Sequence, residues 1–481
     1  MPTTLTIDPV TRLEGHLKVE VTIDGTTDNQ KVVAARASGT LFRGFENLLA
    51  GRNPWDAPHI TQRICGVCPI PHGLAAVKAL DQAAGKAVPN NGRLLRNLVL
   101  GANFVQSHIL HFYHLSLLDY VVGPAMSPWN PGWNVDRRIS QTDNAQLFAN
   151  YQTALRMTRL GHEMGAVFGG RMPHSPAYIP GGFTATPTAV QIGQFRAYCT
   201  ELLNFINTVY LKDVEFLADI YPEYSALGGG NGNLMAFGVF DLDAAGTNCL
   251  LRPGIVRNGS IAVETLNVSA ITEEVTHSWY DTTTDNLAPA AGVTKPIFPK
   301  TDAYSWLKAP RYQSLPFEAG PLARMWINGD YRRGISIMDR HWARALETQK
   351  IALAMLEWLK QVVVGQPVYS TYSTPSSAKG MGLTEAPRGA LGHWVSINGG
   401  TISNYQVITP TCWNASPQDK AHRPGPIEQA LIGLPVSSAE QPIEVLRLIH
   451  SFDPCLSCAV HVLRPSNPTR AAVWKPELKP A

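Results

Sequence analysis

Cysteine is scarce: seven in 481 residues. A disulfide framework needs more sulfur than that for a chain this long, so the fold does not depend on one, and the usage fits a reducing compartment or folding around a metal. Charge is also thin. Only 16% of residues are charged and the net charge is +3, too little to attract a nucleic acid. No hydrophobic run is long enough to span a bilayer. The most apolar stretch, from Leu94 to Val122, is interrupted by Arg96, Asn97, Gln106, His108, His111 and Asp119. The opening M-P-T-T-L-T-I-D-P-V-T-R has neither a basic n-region nor an apolar h-region, so export would have to be directed by another chain. Repeats, low-complexity tracts and evident linkers are missing too. What remains is an ordinary globular composition, 44% hydrophobic, with 11 tryptophans and 36 prolines that suggest a large, loop-rich interior.

Four of the seven cysteines form two Cys-x-x-Cys pairs at opposite ends of the chain. The first is R-I-C-G-V-C-P-I-P-H (Cys65, Cys68, His72). The second is D-P-C-L-S-C-A-V-H (Cys455, Cys458, His461). If the pairs meet, four thiolates converge on one centre, and soft ligands select nickel, zinc, copper(I) or iron–sulfur chemistry. Structural zinc is the common outcome for four cysteines. Zinc ribbons, however, place their pairs about 15–20 residues apart, whereas nearly the whole chain lies between these. Loop-closure entropy grows slowly with length, so zinc is not excluded on energy. A site joining both ends argues for one closed body. Cys199, Cys249 and Cys412 read as small buried residues.

Alternation in L-K-V-E-V-T-I-D-G marks residues 5–40 as a β-hairpin region. Helical spacing marks 91–122, 144–168, 188–218 and 335–364, with a further helix near 439–451. Residues 219–310 read as irregular with short strands, S-S-A-K-G-M-G-L-T-E-A-P-R-G-A-L (376–391) as a Gly-rich loop, and 393–409 as short strands. The expected fold is α+β, mainly α: a single large body with long central helices and small peripheral β-sheets.

Along its full length the chain resembles the large subunit of nickel–iron hydrogenases, of uptake type. The resemblance is carried in order by D-P-V-T-R-L-E-G-H-L, F-R-G-F-E (42–46), R-I-C-G-V-C (63–68), H-F-Y-H-L (111–115), G-G-R-M-P-H-S (169–175), E-A-P-R-G-A-L (385–391) and D-P-C-L-S-C-A-V-H (453–461). It implies heterolytic oxidation of dihydrogen to protons and electrons. Nickel would be held by Cys65, Cys68, Cys455 and Cys458, with Cys68 and Cys458 bridging to an iron that carries carbon monoxide and cyanide. Cys455 would accept the first proton and Glu14 relay it. Arg388 would hang over the open side of the metals, supported by Asp453. Thr411 matches a hydroxyl donor to a cyanide, and His72 a donor to a bridging thiolate. Glu46, the carbonyl of Val407 and His461 match ligands of a magnesium-type ion. Taken without their motifs, Glu14 reads as a surface carboxylate, Glu46 as a solvated helix carboxylate and Arg388–Asp453 as a structural ion pair.

Val67 and Leu115 match positions at the inner end of a gas channel. Hydrogen-sensing relatives tend to be bulkier there, so the smaller pair favours turnover over sensing. In many relatives an aspartate precedes the histidine before H-F-Y-H-L; here it is Ser107, which puts carboxylate support of Arg388 from that side in doubt. The resemblance also divides the chain into a 1–461 domain and a 462–481 extension removed by a maturation protease once insertion factors have loaded nickel. No cysteine is left to hold iron–sulfur clusters, so a cluster-bearing small subunit is implied as partner in a heterodimer. The expected location is cytoplasmic, with membrane association through partners, or export beside a signal-bearing small subunit, left open. Two other readings stand beside this one: a hydrogen sensor, and a zinc-stabilised scaffold.

Overall fold

The computed structural model describes residues 2–26, 29–126, 129 and 132–459, with backbone only at 458 and 459. His461 and the 462–481 extension lie outside the described residues.

The chain opens with three antiparallel strands, β1 (Thr3–Ile7), β2 (Leu17–Asp24) and β3 (Lys31–Gly39), in sequence order. Leu17, Val19, Val21 and Ile23 point inward and the residues between them outward, the period of two that a half-buried strand requires. The hairpin region is therefore a three-stranded meander. The nine residues between β1 and β2 carry Glu14.

Among the described residues twelve α-helices follow, and the first short ones sit beside the chemistry. α1 (Phe45–Leu49) carries Glu46. α2 (Ala57–Thr61) leads into the first cysteine pair, and α3 (Pro69–Ala83) starts directly after Cys68. The central body is α4 (Asn90–Leu110) packed against α5 (Gln141–Gly169) and α9 (Ile337–Gln361), with α6 (Ala189–Phe205) against α5 and α9. α7 (Leu211–Ile220) and α8 (Pro321–Asn328) also lean on α9. α4 is buried on nearly every side although it carries arginine, asparagine, glutamine and histidine. Such a helix needs internal partners for its polar groups. It has them: Arg96 pairs with Asp81 at 2.8 Å and His108 with Glu347 at 2.8 Å. No described helix is long and apolar enough to cross a membrane.

The expected Gly-rich loop at 376–391 is instead a β-hairpin. Strands Ser377–Ala386 and Gly389–Asn398 pair over their whole length, and Thr401–Ile408 completes the sheet. The glycines misled because they serve packing. A Cβ on Gly382 would lie 1.9 Å from the Ala75 carbonyl oxygen of α3; only a bare backbone lets the helix approach the strand so closely. α10 (Pro410–Asn414), α11 (Pro426–Leu431) and α12 (Ile443–Phe452) then bring the chain back to its start.

Candidate metal centre

The two ends of the chain meet through backbone. Glu14 and Cys455 form a parallel bridge, and the Leu456 N–H donates to the Glu14 carbonyl at 2.6 Å. Gly15 permits this. Its φ is +87°, and a Cβ there would lie 2.3 Å from the Ser457 nitrogen. α12 stops at Asp453, which takes a left-handed φ of 54° as its C-cap; aspartate is among the few residues that tolerate it. That turn redirects the chain into Cys455 and the 3₁₀ segment Leu456–Ala459, which holds Cys458.

Cys65, Cys68 and Cys455 are each 1% exposed. Their sulfurs form a triangle: 2.9 Å for Cys65–Cys68, 3.2 Å for Cys65–Cys455 and 4.0 Å for Cys68–Cys455. These are too long for a disulfide, about 2.05 Å. Two thiolates that share one metal at about 2.3 Å each lie within about 4.6 Å of one another, and all three sides of the triangle are within that limit. Among the described residues it is the one group of three or more ligating side chains close enough to share a metal ion. The first loop is already shaped for anionic sulfur. Backbone N–H groups of Val67 and Cys68 donate to Cys65 Sγ at 3.3 and 3.1 Å, and Cys68 caps the N-terminus of α3, where the helix dipole favours negative charge. The Cys455 N–H donates to Thr411 Oγ1 at 2.9 Å, which leaves the threonine's own proton to give elsewhere.

Arg388 sits in the two-residue turn of the hairpin and is 2% exposed. It pairs with Asp453 at 3.0 Å and donates to Ser107 Oγ at 3.3 Å. Ser107 therefore takes up the support that its sequence position left in doubt, as a neutral acceptor. Burial works against the guanidinium charge, yet Asp453 and the sulfurs of Cys455, Cys68 and Cys65 hold its pKa well above the usual arginine value. The cation thus lies within electrostatic reach of all three sulfurs. Glu14 is half-buried, and its Oε1 lies 3.4 Å from where a Gly66 Cβ would be, against the first cysteine loop. Val67 packs on the same cysteines. Leu115 lies in a π-helical turn, His111–Ser116, with its carbonyl held by Arg12 Nη1 at 2.8 Å.

His72 is fully buried, and burial pushes its pKa down to about 4, so the ring is neutral. Nδ1 meets His393 Nε2 at 3.1 Å, and His393 Nδ1 meets the Tyr405 hydroxyl at 2.8 Å. His72 Nε2 has no partner among the described residues. Glu46 is 5% exposed, not solvated. Its Oε1 accepts from the Val407 N–H at 2.9 Å and its Oε2 from the Thr294 hydroxyl. Lys308, Glu273 and Gln406 lie close by, with Lys308 bonded to Glu273 at 3.1 Å and to Gln406 at 3.3 Å. The Cys458 side chain and His461 lie outside the described residues. Cys199 and Cys412 are buried as expected, whereas Cys249 is half-buried.

Sequence reasoning missed several contributors. Arg43 donates to the carbonyls of Ile64 and Ser457, tying the two cysteine loops together; its place inside F-R-G-F-E was the available signal. His174, in a left-handed conformation, bonds the Cys65 carbonyl at 3.1 Å. His393, Tyr405 and Arg324 had no signal in spacing.

The nickel-dependent hydrogenase family model matches residues 43–125, 123–334 and 330–461, and a HoxL-like model matches residues 4–38. The chain is 44% identical to the periplasmic [NiFeSe] hydrogenase large subunit of Desulfomicrobium baculatum, over 95% of each chain. It is 31% identical to the uptake hydrogenase large subunit of Rhizobium leguminosarum bv. viciae, over 98% of this chain and 97% of that one. Its fold superposes on the Ni-Fe-Se hydrogenase of D. vulgaris Hildenborough with a TM-score of 0.92 at 42% identity, covering 96% of this chain and all of that one. Family matches that span nearly the whole chain, around a buried thiol triangle made from both its ends, show that this chain belongs to the nickel-dependent hydrogenases as a large, catalytic subunit.

Proposed function

We propose that Cys65 and Cys455 are terminal nickel ligands and that Cys68 and Cys458 bridge nickel to an iron bearing carbon monoxide and cyanide. The observation that carries this reading is the sulfur triangle itself, with its spacing and the arginine cation within electrostatic reach of it. Soft thiolates suit a nickel that changes oxidation state. When bound, the centre supplies the Lewis-acid and redox chemistry by which dihydrogen gives up two protons and two electrons.

The protein's own groups do the rest. Cys455 Sγ takes the first proton, and Glu14 carries it outward from beside the cysteine loop. A half-buried carboxylate against the first cysteine loop can take a proton from a thiol and release it toward solvent. Arg388 holds a fixed positive charge over the open face, aimed by Asp453 and Ser107. Thr411 keeps a hydroxyl proton for an iron ligand. With Tyr405 donating to His393 and His393 to His72, the His72 Nε2–H is left to donate to a bridging thiolate. Glu46, the Val407 carbonyl and His461 hold a magnesium-type ion. The Glu46 carboxylate accepts two hydrogen bonds and keeps lone pairs for a cation. Val67 and Leu115 leave the inner gas path open, as a turnover enzyme needs.

Electrons leave through an iron–sulfur small subunit. The chain is the 1–461 domain, and the 462–481 extension is removed by a maturation protease after nickel insertion. Location follows the complex, whether it is held in the cytoplasm, at a membrane through partners or exported with the small subunit.

The test is hydrogen-dependent reduction of an artificial dye by the complex purified with its small subunit. Reduction that needs both hydrogen and nickel supports the reading. A nickel-replete complex that reduces no dye but changes its binding to a partner with hydrogen would instead make it a sensor.

A further inference from the structure

In sequence Arg324 lies outside every motif that identifies the site, and it is fully buried on α8. All five of its N–H donors are used. Nε and Nη2 grip the Glu347 carboxylate at 2.6 and 2.7 Å, and Nη1 bonds Glu385 at 2.8 Å. The other two hydrogen bonds go to backbone: Nη1 to the Ala386 carbonyl at 3.0 Å and Nη2 to the Pro387 carbonyl at 2.8 Å. Those carbonyls belong to the two residues immediately before Arg388. Ala386 pairs with Gly389 across the hairpin, so Pro387 and Arg388 are the turn itself, and Pro387 has no N–H by which anything else could hold it.

The grip closes on itself. Glu347 also meets His108 Nε2 at 2.8 Å on α4. The preceding residue, Ser107, accepts from Arg388 Nη1. From Arg388 the path runs through its own turn to Arg324, Glu347, His108 and Ser107 and back to the guanidinium. At the start of α8, a Cβ on Gly320 would lie 3.3 Å from the Arg388 carbonyl oxygen, so that helix also lies under the Arg388 backbone.

We infer that Arg324 is a positioning residue for the Arg388 guanidinium, fixing the turn that carries it through the Ala386 and Pro387 carbonyls. The inference rests on the reading of Arg388 given above. A planar fork with five fixed donors can hold two carboxylates and two carbonyls at once. A lysine, three donors on one nitrogen, cannot span them.

The test is a double-mutant cycle on the complex with its small subunit, using Arg324→Lys, Arg388→Lys and the pair. Turnover and KM for dihydrogen are read together with nickel content and a crystal structure of Arg324→Lys. The expected result is a kcat lowered about tenfold or more by Arg324→Lys, with KM and nickel content unchanged. In the Arg388→Lys background the same change costs less than about twofold. The crystal structure shows Arg388 drawn away from Asp453 and Ser107. Equal losses in both backgrounds, or an Arg388 that has not moved, overturn the inference. Full turnover in Arg388→Lys removes the reading of Arg388 itself, a distinct failure. Where Arg324→Lys does not accumulate as folded complex, Glu347→Gln loosens the same fork and takes its place in the cycle.

Discussion

Each polar side chain around the thiol triangle has a task set by its charge. Glu14 and its amide differ in one respect that matters, the capacity to accept and release a proton. Glu14→Gln is therefore expected to retain nickel while hydrogen oxidation falls by about two to four orders of magnitude; dye reduction and nickel content on one preparation check this. The two supports of Arg388 differ in kind. Asp453 offers an opposite charge at 3.0 Å and Ser107 a neutral oxygen at 3.3 Å. A full opposite charge attracts the guanidinium more strongly at this separation than the dipole of a neutral hydroxyl does. Asp453→Asn should thus slow turnover more than Ser107→Ala, and equal effects in side-by-side kinetics would contradict the assignment. At this scale the cysteines and their flanking residues could be read from sequence, because spacing and motif carry them. Arg324 and the His393–Tyr405 link behind His72 could not. Arg324 reaches Glu347 and Pro387, 23 and 63 positions on, and His393 meets His72 321 positions back, so no local pattern announces them.

Secondary structure sets how those residues converge. The segment before β2 and the segment after α12 run side by side only because Gly15 has no Cβ. Gly15→Ala meets both a backbone clash and a left-handed φ. It is expected to part the Glu14–Cys455 bridge and to lose nickel, seen as metal-poor complex at normal subunit yield. The π-helical turn His111–Ser116 is tied to α7 by the Tyr113 hydroxyl donating to Asp213 at 2.7 Å, with Asn150 on the same carboxylate. Burial pushes the Asp213 pKa up to about 6 from 3.8. A carboxyl whose pKa is higher folded than unfolded holds its proton better when folded. Its contribution is intact at acidic pH and falls as pH rises from about 4 to about 6. Asp213→Asn removes that loss, so it should be more stable than the parent at pH 8, by at most about 3 kcal/mol, and close to it at pH 4. Thermal unfolding at the two pH values reads the difference, and a gap that does not change with pH contradicts it. Helices with strong periodicity were legible: the expected 144–168 is Gln141–Gly169 and the expected 335–364 is Ile337–Gln361. The hairpin at 377–398 was not, since its glycines answer to α3 across the sheet and mimic loop composition.

The whole molecule is a closed body whose two ends make one centre. That closure was legible from two cysteine pairs at opposite termini, and the α+β, mainly α architecture follows the expected pattern. What sequence could not show is how the closure is held: by the Glu14–Cys455 bridge, by Arg43 across both loops, and by the buried charges around Arg388. Each of these stands on a site that holds one metal between thiolates from both ends. The most direct test is the nickel, iron and zinc content of the complex purified with its small subunit, for the parent chain and for Cys65→Ser. The account predicts about one nickel per chain with iron in excess, and a Cys65→Ser complex without nickel, because a serine oxygen is too hard a ligand to replace the thiolate. Zinc in place of nickel in the parent, or full nickel in Cys65→Ser, would contradict it.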